Sequence, residues 1–195
     1  GSKEGLANLA QAITAPGDVI IVPDPSYPIH MFGFIIAGAA VRAVSFSNPE
    51  QFLADAVTAC KRSVPAPSAM VLNFPSNPTA QVVDLDFYRE AVKIAKANDL
   101  VLISDLAYSE IYFDGNPPPS LLQVEGARDV AVEFTSMSKT YSMAGWRIGF
   151  AAGSQRLIGA LKRVKSYLDY GAFTPVQIAA VAALDGPQDH VATAR

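Results

Sequence analysis

The sequence is poor in cysteine, since Cys60 is the only one among its 195 residues. A single cysteine excludes a disulfide framework within the chain and a zinc site built from cysteines. It suits the reducing cytosol, so we expect a cytoplasmic protein. Long apolar runs are missing too: the longest, near residues 34–37, is far shorter than the roughly 20 residues that cross a bilayer. With no signal-peptide pattern either, the sequence predicts no association with a membrane.

Charge is also scarce. Charged residues make up 17% of the chain, against about 25% in a typical soluble domain. The net charge of −3 and the isoelectric point near 5.3 give no basic surface for nucleic acid. Hydrophobic residues reach 50% and mean hydropathy is +0.23, enough for a sizeable core. Such a chain is expected to cover part of its surface, with further sequence or with another subunit.

Two kinds of apolar pattern alternate along the chain. Helical spacing predicts helices over residues 4–15, 29–37, 51–62, 85–97, 155–167 and 175–184. Short apolar runs predict strands over residues 19–22, 41–44, 69–74, 101–104, 130–134 and 147–151. The prolines that follow residue 22 are expected to end the first strand. This alternation predicts one α/β domain, with a mainly parallel sheet between two helical layers.

Polar residues follow the predicted strands where each of them ends. Ligands of open α/β sheets bind at the carboxyl ends of the strands. We therefore expect a shared crevice for the side chains that follow these strands, which are Ser26, Tyr27, Asn77, Asp105, Tyr108 and Lys139.

A lysine between hydroxyl residues suggests the chemistry of this crevice. Lys139 follows Ser136 and Ser138, and Arg147 lies eight residues further on. A lysine forms a Schiff base with an aldehyde, while hydroxyls and a guanidinium bind phosphate. Pyridoxal 5'-phosphate (PLP) carries both groups. The alternative is a polar surface turn with an ordinary solvated lysine.

Four further residues fit the same cofactor. An ionised Asp105 can hold a pyridine nitrogen in its protonated form, although a turn or helix-cap aspartate is the alternative. Tyr108 and Asn77 can hydrogen-bond the phenolic oxygen of the ring, and Pro78 restricts the backbone of Asn77. Tyr27 can stack on the ring. Packing tyrosines and an Asn-Pro turn are the structural alternatives.

The first predicted helix offers a second contact for phosphate. Free backbone N–H groups at a helix start bind anions, here assisted by Ser2 and Lys3. The alternative for Gly1 and Ser2 is the remnant of an expression tag. The helical pattern continues from these residues without a break, which favours native sequence.

In combination these motifs resemble those of the class I/II aminotransferases, which are PLP-dependent enzymes of fold type I. The matching motifs occur in family order over nearly the whole chain, at residues 1–5, 23–28, 77–79, 105–108, 136–139 and 145–147. The runs 25–30, 74–81 and 165–175 are similar to those of the family's bacterial alanine (glutamate–pyruvate) transaminases. Ala80 stands where the wider family usually has glycine, a change that this subgroup shares.

The resemblance implies a role for each candidate residue. Lys139 would form the Schiff base with PLP and shuttle the proton. Asp105 would hold the pyridine nitrogen, and Asn77 and Tyr108 would bind the ring oxygen. Tyr27 would stack on the ring. The phosphate would be bound by the remaining candidates, which are Ser2, Lys3, Ser136, Ser138 and Arg147.

The resemblance also implies an activity and an assembly. The expected reaction transfers an amino group from an amino acid, alanine by the closer similarity, to a 2-oxo acid such as 2-oxoglutarate. The expected assembly is a homodimer in which residues 171–174 approach the neighbour's cofactor. Residues 1–195 would form the large domain only, so the small domain and the arginine that binds the substrate carboxylate would lie outside them. The alternatives are another PLP-dependent transaminase or lyase, a sensor domain of a transcription regulator, and a chain that is inert on its own.

Overall fold

The computed structural model describes all of residues 1–195 and contains one six-stranded sheet. The strands are β1 Val19–Asp24, β2 Ala40–Ser45, β3 Pro67–Leu72, β4 Val101–Asp105, β5 Ala131–Ser136 and β6 Gly149–Gly153. Their order across the sheet is β2-β1-β3-β4-β5-β6. The first five are parallel and β6 is antiparallel to β5. The predicted mainly parallel sheet is confirmed.

Helices cover both faces of this sheet. They are α1 Ser2–Ile13, α2 Pro28–Ile36, α3 Pro49–Arg62, α4 Leu85–Ala97, α5 Ala127–Val130, α6 Met137–Thr140, α7 Gln155–Leu168, α8 Thr174–Asp185 and α9 Asp189–Ala194. One apolar layer joins the sheet to α3 and α4, and the other joins it to α1, α2 and α7. None of these helices combines the length and the apolar character needed to span a membrane.

Strand β1 shows why the strands read as continuous apolar runs. Successive side chains of a strand point to opposite faces of the sheet. Ile21 packs into the layer of α3 and α4, whereas Ile20 and Val22 pack into the layer of α1 and α2. Both faces are buried, so a polar residue has no place in the middle of this strand.

Helix starts are set by side-chain caps. Asp84 accepts a hydrogen bond from the backbone N–H of Phe87 at 2.8 Å, so α4 begins at Leu85 as predicted. Asn48 accepts one from the backbone N–H of Gln51 at 2.8 Å, and Pro49 occupies the first helical position. Helix α3 therefore begins two residues before the predicted position, because proline is favoured at a helix start.

The structure corrects the end of the first predicted strand. Strand β1 continues through Pro23 to Asp24 instead of ending at Val22. Pairing with β3 stops at Ile21, and beyond that point β1 pairs only with β2. A proline is tolerated there because β1 no longer pairs with β3 at this position. The hydrogen bonds between β1 and β3 therefore do not need its N–H.

The stretch after Lys139 also differs from the prediction. The predicted strand over 147–151 begins at Gly149, because residues 144–146 form a 3-10 turn. Arg147 then adopts a left-handed backbone conformation with φ of 53°. Helix α9 has no predicted counterpart, and of its six residues only Val191 is buried.

Helix α8 is buried along a narrow stripe only. Ala180 is its one fully buried residue, and it packs with Met137, Met143 and Ile148 from the segment around Lys139. The opposite side of α8 and the turn before it expose large apolar side chains, namely Tyr170, Phe173, Ile178, Val181 and Leu184.

Gly149 provides a test of the packing between β6 and α1. A Cβ atom at Gly149 would lie 2.6 Å from the carbonyl oxygen of Thr135 and 2.9 Å from the backbone nitrogen of Ser2. We expect Gly149→Ala to lower the free energy of unfolding by about 1–3 kcal/mol, since the clash is with backbone. The control is Gly159 in α7, where an added Cβ atom would have no neighbouring heavy atom within 4 Å. Gly159→Ala should stabilise the helix by about 0.5–1 kcal/mol. Equal urea midpoints for the two variants would contradict this close approach.

Candidate active site

All ten candidate residues line one cavity of about 240 Å³ at the carboxyl ends of β1, β3, β4 and β5. The sequence predicted a shared crevice, and the structure brings these side chains together there. Ser26, also expected in the crevice, does not line the cavity and contacts His30 instead. Three further residues complete the lining. The thirteen residues are Ser2, Lys3, Tyr27, Asn73, Asn77, Asp105, Ala107, Tyr108, Ser136, Ser138, Lys139, Ala144 and Arg147.

Asp105 ends β4 and is buried, with 6% of its surface exposed. Its Oδ2 lies 2.9 Å from Nε2 of His30, whose Nδ1 lies 2.8 Å from Oγ of Ser26. A carboxylate only accepts, so Nε2 is the donor, and in the neutral ring Nδ1 accepts from the Ser26 hydroxyl. The side chain of His30 is completely buried. This chain of hydrogen bonds fixes one oxygen of the carboxylate.

The other carboxylate oxygen of Asp105 has no partner. Oδ1 is buried and makes no hydrogen bond. A buried acceptor without a donor costs about 1–3 kcal/mol, so this atom is suited to a ligand that brings an N–H group. The protonated pyridine nitrogen of PLP is such a donor. The residues at this end of the cavity therefore fit the cofactor.

Asn73 connects two of the candidate residues. Its Nδ2 donates to the carbonyl oxygen of Asp105 at 2.8 Å, and its Oδ1 accepts from the backbone N–H of Asn77 at 2.9 Å. Asn77 in turn donates from Nδ2 to Oη of Tyr108 at 3.2 Å. The ends of β3 and β4 are thereby fastened to one another, and both groups suited to a phenolic oxygen lie side by side.

Sequence reasoning did not assign a role to His30 or to Asn73. The signal for His30 was its position in the first turn of the predicted helix, shortly after Ser26 and Tyr27, which were already expected in the crevice. For Asn73 it was a buried position directly after β3, where a polar residue needs a partner.

Lys139 lies in the short helix α6, directly after β5. Ser136 caps this helix by accepting from the backbone N–H of Ser138 at 3.1 Å, and Met137 is buried beneath it. The Nζ of Lys139 lies 5.7 Å from the centroid of the Tyr108 ring. It makes no hydrogen bond or ion pair with the protein, so no carboxylate competes with a ligand for this amine.

The remaining candidates form the cationic end of the cavity. Ser2 and Lys3 occupy the first turn of α1, and Nζ of Lys3 lies 5.5 Å from the centroid of the Tyr27 ring. Arg147 donates from Nη1 to the carbonyl oxygen of Ala144 at 2.8 Å. Its left-handed backbone is unusual for a residue with a large side chain. This end of the cavity suits an anion.

Comparison with known proteins identifies the family. The family model described as aminotransferase class I and II matches residues 1–195. The chain therefore belongs to the class I and II aminotransferases.

Curated relatives are similar to this sequence along nearly its whole length. The putative aminotransferase AatC of Rhizobium meliloti is 61% identical over 195 residues, covering 100% of this chain and 48% of the relative. The glutamate–pyruvate aminotransferase AlaC of Escherichia coli is 54% identical over 191 residues, 98% of this chain and 46% of the relative. An LL-diaminopimelate aminotransferase of Natranaerobius thermophilus is 44% identical over 191 residues, covering 98% of this chain and 50% of the relative. The chain thus spans about half the length of the curated relatives it matches.

Solved structures agree with the fold. An aminotransferase from Staphylococcus aureus superimposes with a TM-score of 0.91 at 31% identity, covering 100% of this chain and 51% of the other. The substrate-bound structure of BacF from Bacillus subtilis gives a TM-score of 0.90 at 36% identity, covering 99% of this chain and 49% of the other. The sheet and its flanking helices are those of this family.

His30 provides a test of the hydrogen bonds that fix Asp105. Replacement by leucine removes the donor to Oδ2, so a buried carboxylate loses its only side-chain partner. We expect His30→Leu to lower the free energy of unfolding by about 2 kcal/mol. The only other histidine, His190, is exposed, and His190→Leu should change stability by less than about 0.5 kcal/mol. Similar losses in urea unfolding for both variants would argue against this role of His30.

Proposed function

We propose that residues 1–195 form the PLP-binding large domain of a longer aminotransferase. Its reaction transfers an amino group between alanine and a 2-oxo acid, with 2-oxoglutarate as acceptor. The observation that carries the proposal is the pairing of two groups in one cavity: an unpartnered buried oxygen on Asp105 and an unpaired amine on Lys139. Family membership and the similarity to AlaC support the reaction class.

The lining divides into a part for each portion of PLP. Asp105 would hold the ring nitrogen, Asn77 and Tyr108 the phenolic oxygen, and Tyr27 one face of the ring. The phosphate would meet the N–H groups at the start of α1 together with hydroxyl, ammonium and guanidinium donors. Those donors are Ser2, Lys3, Ser136, Ser138 and Arg147. When bound, PLP supplies an aldehyde that takes up the amino group and a ring that accepts electrons.

Lys139 then acts on the substrate. Its Nζ would be the general base that accepts the proton from the substrate's α-carbon, and then the acid that donates this proton to the aldehyde carbon of PLP. Such a base must be neutral in part of the molecules, and no carboxylate of this chain pairs with Nζ to oppose that. Asp105, held in place by His30, keeps a proton on the ring nitrogen through its charge.

The exposed apolar side of α8 supports a homodimer. Tyr170 is 95% exposed, and Phe173 and Ile178 are largely exposed beside it. Large apolar side chains in such a group mark an interaction surface. The adjacent residues 171–174 are those proposed to approach the neighbour's cofactor, so this surface suits a second copy of the chain. Low charge content agrees with a covered face. We also propose that the enzyme works in the cytoplasm.

One other reaction has support, and a non-enzymatic role is the second alternative. LL-diaminopimelate is the second candidate donor, because relatives named for it match nearly the whole chain. Alanine is the first candidate because identity to AlaC is higher, at 54% against 44%. A sensor domain of a transcription regulator would keep the same cofactor site but would need a DNA-binding domain elsewhere in its sequence.

Borohydride trapping tests the central assignment. The protein is incubated with PLP and reduced, and the modified peptide is located by mass spectrometry. We expect the adduct on Lys139. In the longer enzyme, Lys139→Ala should lower turnover by roughly 10³-fold or more without changing the melting temperature of the cofactor-free protein, because Lys139 is exposed. Lys162→Ala, an exposed lysine of α7, is the control and should leave both readouts unchanged. An adduct on another lysine, or turnover retained in Lys139→Ala, would refute the assignment.

Donor specificity is tested in the longer enzyme with alanine, LL-diaminopimelate and glutamate at equal concentration. We expect the largest kcat/KM for alanine with 2-oxoglutarate as acceptor. A larger value for LL-diaminopimelate would replace the first candidate by the second, and a lack of turnover with bound PLP would favour the sensor domain.

A further inference from the structure

Three elements meet at Lys165, outside the cofactor cavity. Lys165 lies in the last turn of α7. Its Nζ is 2.9 Å from Oε1 of Glu4 in α1 and 2.7 Å from Oδ2 of Asp169 after α7. Partial burial opposes the charged amine, but the hydrogen bonds to Asp169 and Glu4 outweigh it and raise the pKa of Lys165. The ammonium group is thus held between two carboxylates.

Glu4 is the reason why this position matters for the cofactor. It occupies the first turn of α1, two residues after Ser2, where the phosphate of PLP is proposed to bind. A second cavity of about 190 Å³ is lined by Glu4 and Lys165 and adjoins the cofactor cavity, since Ser2 and Arg147 line both. A carboxylate so near would repel a phosphate dianion. The ammonium of Lys165 offsets that repulsion.

Asp169 extends the same network to the turn before α8. Its Oδ1 accepts from the backbone N–H of Gly171 at 2.9 Å, within a turn where Tyr170 has φ of 57° and Gly171 has φ of 115°. Hydrogen bonds from Lys165 and from this N–H lower the pKa of Asp169. Lys165 therefore joins the first turn of α1 to the turn that leads into residues 171–174.

We propose that Lys165 is a positioning residue for the phosphate of PLP, which acts by neutralising Glu4 at the start of α1. The inference rests on the proposed function and deepens it. It assigns to Lys165 an effect on cofactor affinity without any contact to the cofactor.

Comparison of PLP with pyridoxal, which lacks the phosphate, tests this role. In the longer enzyme, Lys165→Met should weaken PLP binding about three- to tenfold, the size of one partly exposed charge interaction. Affinity for pyridoxal should stay the same. Both dissociation constants are measured by absorbance titration of the cofactor-free protein. Lys162→Met, on the same helix but without an ion pair, is the matched control and should bind both compounds like the wild type.

A second substitution separates charge from structure. If Lys165 acts by neutralising Glu4, the double variant Glu4→Gln with Lys165→Met should recover most of the lost PLP affinity. Glu4→Gln alone should bind PLP at least as tightly as the wild type. If Lys165→Met does not fold, the PLP affinity of Glu4→Gln tests the inference by itself. Equal losses for PLP and pyridoxal, or no recovery in the double variant, or selective loss of PLP in Glu4→Gln, would overturn the inference. A wild-type enzyme that binds no PLP would instead contradict the proposed function.

Discussion

The buried carboxylate of Asp105 is the constraint on which the rest of the site depends. A charge in this position is tolerated only because His30 donates to one oxygen, and His30 is fixed in turn by Ser26. The second oxygen lacks a partner. Binding of a donor there removes an unfavourable burial, so the protein gains stability from the ligand that its function requires. The polar network at the ends of β3 and β4 thus surrounds an atom that the chain itself does not satisfy.

Parallel strands explain how distant residues reach that atom. Four strands end at the same edge of the sheet, and residues at or just past the end of each strand line one cavity. Direct hydrogen bonds then fix the relative positions of neighbouring loops: Asn73 bonds both Asp105 and Asn77, and Asn77 bonds Tyr108. The scaffold brings the side chains near each other, and this polar network sets their distances. Cationic side chains from Lys3 and Arg147 also line the cavity, as a ligand with an anionic group requires.

The features that sequence predicted well are those fixed by local rules. Apolar runs located the strands, and the cap at Asp84 set the start of α4. Residues that follow strands converged, as sheet geometry demands. The missed features depend on contacts between distant parts of the chain. Pro23 is admitted to β1 because pairing with β3 has already ended. His30 lies 75 residues from the carboxylate it holds. The left-handed backbone of Arg147 follows from the 3-10 turn before it, which composition alone does not reveal.

Helix α8 has a consequence for communication within an assembly. Its inner side rests on Met137, Met143 and Ile148, which support the segment that carries Lys139, while its outer side is apolar and open. The two sides are separated by the thickness of a single helix. A protein bound to the outer side would be separated from the backbone that carries Lys139 only by α8. In the homodimer proposed above, the interface and the lysine segment would therefore share this one helix.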